Sequence, residues 1–280
     1  MAKSWAAYAL YALVLTGALL YARFPADAVE RYLVDRVARA APGTELVIGK
    51  LRPALPPGLV LEPVGLARAE TPLLRLDRLQ LTPALLSLLG DRPRTDVDAR
   101  GLGGRVEGEL ILARTEDAAA PEAAEAEWTN LDLSDLPFLQ QISPHAVTGL
   151  LDGGLTYEAG EGEATLTIRD GGVVFTEPLF NIPGVSFARI HARLSLTGGR
   201  TLTLTECTLD GNQVDGNLSG TLTLGRPLES SSLNLTGELR PHPALLAGLG
   251  DGAAMLLRQR RGPIPFAIRG PLASPRFSLN

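Results

Sequence analysis

Few residues in this chain have both the type and the spacing for covalent chemistry. Asp132 and Asp135 are three apart, a spacing that general acid–base catalysis can use, but acids so placed commonly cap a helix or turn, and we read them as caps. Ser143-Pro144-His145 puts a hydroxyl near an imidazole, yet the spacing makes no nucleophile arrangement and no acidic partner for the base is indicated. His145, His191 and His242 are scattered, and with Cys207 they give no metal-ligand spacing. Cys207 is the single cysteine, so no internal disulfide can form, and its place in a strand reads as a buried structural thiol. Gly101-Leu102-Gly103-Gly104 lacks the strand–loop–helix context of a phosphate cradle and reads as a turn. Arg258, Arg260 and Arg261 cluster, but a net charge of −5 does not support a nucleic-acid surface. We therefore expect no enzyme, no cofactor and no metal.

What remains is apolar chemistry, the solvation of acyl chains. Ten residues carry it: Leu166, Ile168, Leu194, Leu196, Leu202, Leu204, Leu222, Leu224, Leu233 and Leu235. Each alternates with polar neighbours, as Leu202 and Leu204 do with Thr201, Thr203 and Thr205. Successive strand side chains point to opposite faces, so each segment has one dry and one wet side. Such residues are either ordinary core or the lining of a lipid groove, and ordinary core is the favoured reading.

The elements that would position them are short antiparallel strands. Gly198-Gly199, Asp210-Gly211-Asn212 and Gly225-Arg226-Pro227 punctuate the run from Phe187 to Gly237 with turn residues. Aromatic residues are 5% of the chain against 45% apolar overall, so the dry face is made of Leu, Val and Ala, and the aromatic girdles of an outer-membrane barrel are absent. Val147–Tyr157 and Glu163–Arg169 read as a hairpin. A loop interrupted by Pro178 and Pro183 leads into the main run. Leu74 and Leu76 differ in parity from Leu79 and Leu81, which predicts a bulge near Asp77-Arg78. Pro83–Leu89 reads as a short helical turn, and Pro243–Leu249 and Ala253–Arg260 as helices. Glu116–Glu127 is acidic and alanine-rich and reads as a solvated loop between two halves. Asp98–Leu112 and Asp210–Leu224 echo each other as strand, turn and strand.

The start of the chain differs. Ser4 to Ala22 carries no charge over about 19 residues, near the roughly 20 that span a bilayer core. Trp5, Tyr8 and Tyr21 sit near its ends, where amphipathic rings favour the interface. Leu20 stands where a signal-peptide cleavage site needs a small residue, so the segment reads as an uncleaved anchor. Pro25 to Ala41 follows as an amphipathic helix, with Val29, Leu33 and Val37 on one side, and plugs one end of the sheet.

The order of several short signatures resembles the type II secretion system protein N family, in its delta-proteobacterial form. The residues are Ile48-Gly49 with Leu55-Pro56-Pro57-Gly58-Leu59, then Pro72–Leu79, Leu85–Leu89, Gly104–Gly108, Leu209-Asp210-Gly211 and Gly216–Leu222. Arg261–Phe266 and Arg269–Phe277 complete the series, so the resemblance runs nearly end to end. The hairpin pattern is also similar to the AsmA-like proteins, whose long curled sheets carry lipid between bacterial membranes. The resemblance implies an inner-membrane anchor, a periplasmic body and membership of a machine that exports folded proteins through an outer-membrane secretin. It supplies no catalytic residues.

The expected fold is thus mainly β: an N-terminal transmembrane helix, then a curled, mostly antiparallel sheet of the AsmA-like, β-taco type with short capping helices. The expected divisions are an anchor over 1–24, a linker helix over 25–43 and a β-rich periplasmic domain over 44–280, with the acidic loop at 115–127. The expected function is non-enzymatic support of assembly or export in the type II secretion system, from a single-pass position in the inner membrane. Partners would be other inner-membrane proteins of that system, the secretin and phospholipid. The alternative is an AsmA-like lipid-binding or lipid-transfer protein with an apolar groove. About 14 strands at about 4.8 Å give a sheet roughly 65 Å long, short for bridging two membranes alone.

Overall fold

A computed structural model describes residues 23–55, 57–68, 71–112, 121–137, 145–179, 182–225, 230–243, 262–272 and 274–279, and the isolated positions 8, 11, 15, 21, 139 and 245. Alternating sequence becomes alternating structure over most of this length. Twelve strands follow one another in the sheet as they do in the chain: β6 (Arg78–Pro83), β7 (Arg94–Gly101), β8 (Gly104–Leu112), β9 (Pro121–Asp132), β10 (Ala146–Glu158), β11 (Glu161–Leu179), β12 (Ile182–Thr197), β13 (Thr201–Gly211), β14 (Val214–Thr223), β15 (Ser232–Pro241), β16 (Ile264–Pro271) and β17 (Arg276–Leu279). The hairpin of β2 (Leu51–Ala54) and β3 (Gly58–Leu61) joins at β6, giving 14 strands, every neighbouring pair antiparallel.

Turn chemistry sets the register. Between β7 and β8, Leu102 and Gly103 have φ of 54° and 72°; between β10 and β11, Ala159 and Gly160 have φ of 49° and 93°. Two successive positive φ values make the tight turn whose twist matches that of a hairpin, and glycine at the second position carries no Cβ penalty. The echoed segments are both hairpins, but their turns fall two residues apart in the alignment, at Leu102-Gly103 and at Asn212-Gln213.

A second, three-stranded sheet pairs β1 (Thr44–Ile48), β4 (Val64–Arg68) and β5 (Thr71–Leu76). The parity change near Asp77 therefore has a different origin from the predicted bulge. At Asp77 the chain leaves the small sheet and enters the large one, and the face that was inward changes with it. Helix α1 (Ala26–Ala40) lies against this corner. Its Val29 and Leu33 pack with Phe24, Leu46, Ile48, Leu59, Leu76 and Leu79 around buried Leu51, Leu61 and Val64, so the helix does cover one end of the sheet.

Three other expectations change. The large sheet is open and neither closed nor curled, because β2 and β17 end the ladder instead of meeting. The acidic loop is half strand: Pro121–Glu127 begins β9, with Ala124, Ala126 and Trp128 on the dry face and Glu125 and Glu127 on the wet one. The period of two in Ala124-Glu125-Ala126-Glu127 decides its structure, and composition alone hides that period. The stretch around Pro178 and Pro183 belongs to the extended ends of β11 and β12. Pro83–Leu89 closes with one 3-10 turn at Ser87–Leu89.

Among the described residues no helix is long and apolar enough to cross a membrane. The anchor expected over 1–24 lies mostly outside those residues; Tyr8, Tyr11, Leu15 and Tyr21, which are described, are helical and exposed. The helices expected over Pro243–Leu249 and Ala253–Arg260, and the arginine cluster, lie almost wholly outside them too.

Candidate apolar site on the open sheet

Hydrogen-bonded register lines up the dry side chains in rows across the strands. One row runs Leu59, Leu81, Val97, Gly108, Ala126, Leu155, Ala164, Leu194, Leu204, Gly220, Leu235 and Ile268. A neighbouring row carries Leu110, Ala124, Tyr157, Gly162, Leu196, Leu202, Leu222 and Leu233. Farther along the strands, Leu151, Ile168, Ile190 and Leu209 line up in the same way. On β13 a bulge at Thr205, whose hydroxyl donates to the Arg193 carbonyl oxygen at 3.0 Å, keeps Cys207 and Leu209 on the same side as Leu202 and Leu204.

Nine of the ten predicted lining residues lie in strands of this face. Leu224 follows the end of β14, its amide donating to the Arg200 carbonyl oxygen at 2.8 Å. All ten are half-buried; none reaches the burial of Leu61, which is 2% exposed. From β8 to β16 the substantial packing partners are ladder neighbours and the 3-10 turn Leu133–Asp135, with no opposing layer among the described elements.

A cavity of 390 Å³ has Leu110, Leu155, Tyr157, Leu194, Leu196 and Leu202 among its walls, within the usual range of small-ligand sites. Leu110, Leu155 and Tyr157 extend the predicted lining. Their alternation is visible in sequence, but only pairing across β8, β9 and β10 places them beside Leu194 and Leu196.

The wet face is acidic. Asp96, Glu109 and Glu125 sit opposite one another on β7, β8 and β9, as do Asp98, Glu107 and Glu127. Arg105 grips Asp98 through two bonds of 3.1 and 2.6 Å and reaches Glu107 at 2.8 Å; its hydrogen bond holds the Asp98 carboxyl below the usual carboxylate range. Farther along, Arg169 ties Asp152 to Asn130 across three strands.

The polar residues singled out in sequence stay apart. Asp132 accepts from the amide and hydroxyl of Ser134, as a cap does, and those bonds lower its pKa. His145 Nδ1 accepts from the Thr176 amide at 3.3 Å, and Ser143 lies outside the described residues. His191 meets Thr167 Oγ1 at 3.2 Å, and His242 meets Asp215 at 2.7 Å. Cys207 is buried, which pushes its thiol pKa up, away from the reactive thiolate. Among the described residues no group of three His, Cys, Asp or Glu could hold a metal ion.

Comparison with known proteins finds no family model, no curated protein and no solved structure that matches this chain.

Proposed function

We propose that the protein is a non-enzymatic component of the bacterial cell envelope, and that its uncovered apolar sheet face is its working surface. One observation carries this: nine Leu and Ile side chains in the strands share a face, all half-buried, with no second layer over them among the described residues. A continuous apolar face of this extent on a soluble body would be a liability unless something occupies it. The order of signatures from Ile48-Gly49 to Arg269–Phe277 supports a role in type II secretion, as an inner-membrane-anchored periplasmic part that supports assembly or export. In that role other inner-membrane proteins of the system, or the secretin, would meet the body.

The second reading is lipid binding or transfer in the AsmA-like manner. The 390 Å³ cavity favours it, because Leu, Tyr, Ala and Pro form most of its walls. A photoreactive residue placed in the full-length chain at Leu194, Leu222 or Asn234, with irradiation in living cells, separates the readings. Phospholipid adducts at 194 and 222 but not at 234, which lies on the wet face, are expected if acyl chains occupy the site. Protein adducts at 194 and 222 without lipid would make the face an assembly surface alone. Absence of both would sink the proposal.

A further inference from the structure

We propose that the connections at one end of the large sheet form a bilayer-docking tip, the route by which acyl chains reach the apolar face. Among the described residues beyond 25, nine large apolar side chains are exposed, and five belong to two neighbouring connections. Leu55, in the β2–β3 turn, is 80% exposed; Leu86 and Leu89, between β6 and β7, are 88% and 86% exposed, with Leu85 and Leu88 beside them. Register puts both connections at the same end. Ala54 pairs with Gly58, Leu59 with Leu81, and Pro83 with Thr95, so the two turns project side by side.

The longer connection is built. The Ser87 hydroxyl donates to the Ala84 carbonyl oxygen at 2.7 Å and accepts from the Arg94 amide at 2.9 Å. The Ala84 amide donates to the Arg94 carbonyl oxygen at 3.0 Å, and Leu112 donates to Pro93 at 3.1 Å. Ser87 and the Ala84 amide are satisfied within the loop, while its four leucines are left outside, next to exposed Asp91 and to Arg92, which pairs with Glu122 at 2.7 Å. A flat protein interface takes most of its affinity from Trp, Tyr and Arg anchors seated in pockets. This tip offers clustered leucine with no aromatic anchor on a protruding surface, which suits a fluid hydrocarbon phase.

Two further observations point to lipid. The row nearest this end includes Leu110, Leu196 and Leu202, which also wall the 390 Å³ cavity, so the apolar surface continues from tip to site. The uncharged stretch from Ser4 to Ala22 suits a bilayer, which would keep one within reach. Docking needs only that bilayer; entry of the chain at this end rests on the lipid reading of the apolar face.

The full-length protein in vesicles of phosphatidylethanolamine and phosphatidylglycerol provides the test. An environment-sensitive fluorophore is attached at Leu86→Cys, at Leu89→Cys or, as a control at the opposite end of the sheet, at Asp210→Cys, each in a Cys207→Ser background. Docking gives a blue shift and loss of emission with nitroxide-labelled lipid at 86 and 89, and neither at 210. A blue shift without lipid quenching would assign the tip to a second copy or another protein and overturn the proposal, as would free exposure to water. Hydrogen exchange on the unlabelled chain, read over 84–92 in vesicles and in a lipid-free polymer, covers labelled variants that fail to fold; equal protection in both overturns docking. Lipid adducts at Leu194 with an unprotected tip would leave the lipid site standing and remove only the docking route.

Discussion

His242 is held by two acceptors at once. Its Nε2 lies 2.7 Å from Asp215 Oδ2 and its Nδ1 lies 3.3 Å from the Asn212 carbonyl oxygen. Neither partner can donate, so both contacts are hydrogen bonds only when both ring nitrogens carry protons. The Asp215 bond accordingly raises the His242 pKa above its ordinary 6.5, and the same bond, with the Gly211 amide and nearby Arg240, lowers that of Asp215 below 3.8. The signs follow from linkage. The raised imidazole contributes fully below pH 6.5 and loses its contribution as pH rises through the raised value. The lowered carboxyl contributes fully above pH 3.8 and loses its contribution as pH falls through the lowered value. Both side chains are partly exposed, 35% and 46%, so the effect belongs to the turn and not to the whole fold. We expect the protection factor of the Gly211 amide, which donates to Asp215 Oδ1 at 3.0 Å, to fall as pH rises past neutrality. In His242→Gln the same trace is expected to be flat. A wild-type trace without pH dependence would remove the ionic clasp.

Between neighbouring strands, close approach decides what a position tolerates. Gly153 on β10 faces Trp128 on β9, and a Cβ there would come within 2.2 Å of the Thr165 carbonyl oxygen and 3.1 Å of the indole. Gly153→Val is expected to cost about 1–3 kcal/mol by overpacking, read as a lower midpoint in urea. An unchanged midpoint would mean that the three strands yield at little cost. The same scale shows what could be read in the sequence. Leu194 and Leu196, or Leu233 and Leu235, announce their face because each leucine is flanked by Thr, Ser, Asn or Arg. Glu122–Glu127 did not, since alanine is apolar enough for a dry face yet common in solvated segments. The parity change at Asp77 was visible, but a bulge and a move between sheets give the same one-residue slip. In Pro83–Leu89 the leading proline predicts a turn of helix, and no pattern of apolar residues tells which of them a loop will leave outside. The open ladder was hidden for a similar reason: alternation fixes which side is dry, and says nothing about what lies above it.

Across the whole molecule, burial is unevenly distributed. Leu51, Leu61 and Val64 form a closed cluster under α1, while the leucines from β10 to β15 are half-buried. Leu61→Ala is expected to cost about 2–5 kcal/mol, as core truncations do. Leu222→Ala is expected to cost about 1 kcal/mol, because much of that side chain already meets solvent. Urea unfolding of the two variants checks this, and equal losses would mean that the dry face is covered. The ladder itself has a further consequence. From β7 onward each strand lies beside the one just before it in the chain, so every pairing from there is between sequence neighbours. Such an array approximates a one-dimensional lattice, in which each unit answers only to the next. Unravelling would start at the edge, where β17 is held by four register pairs, and proceed strand by strand. Length is then a modular quantity: one more hairpin would extend the reach by about 10 Å without disturbing any pairing already made. The protein is in this sense a ruler whose graduations are hairpins.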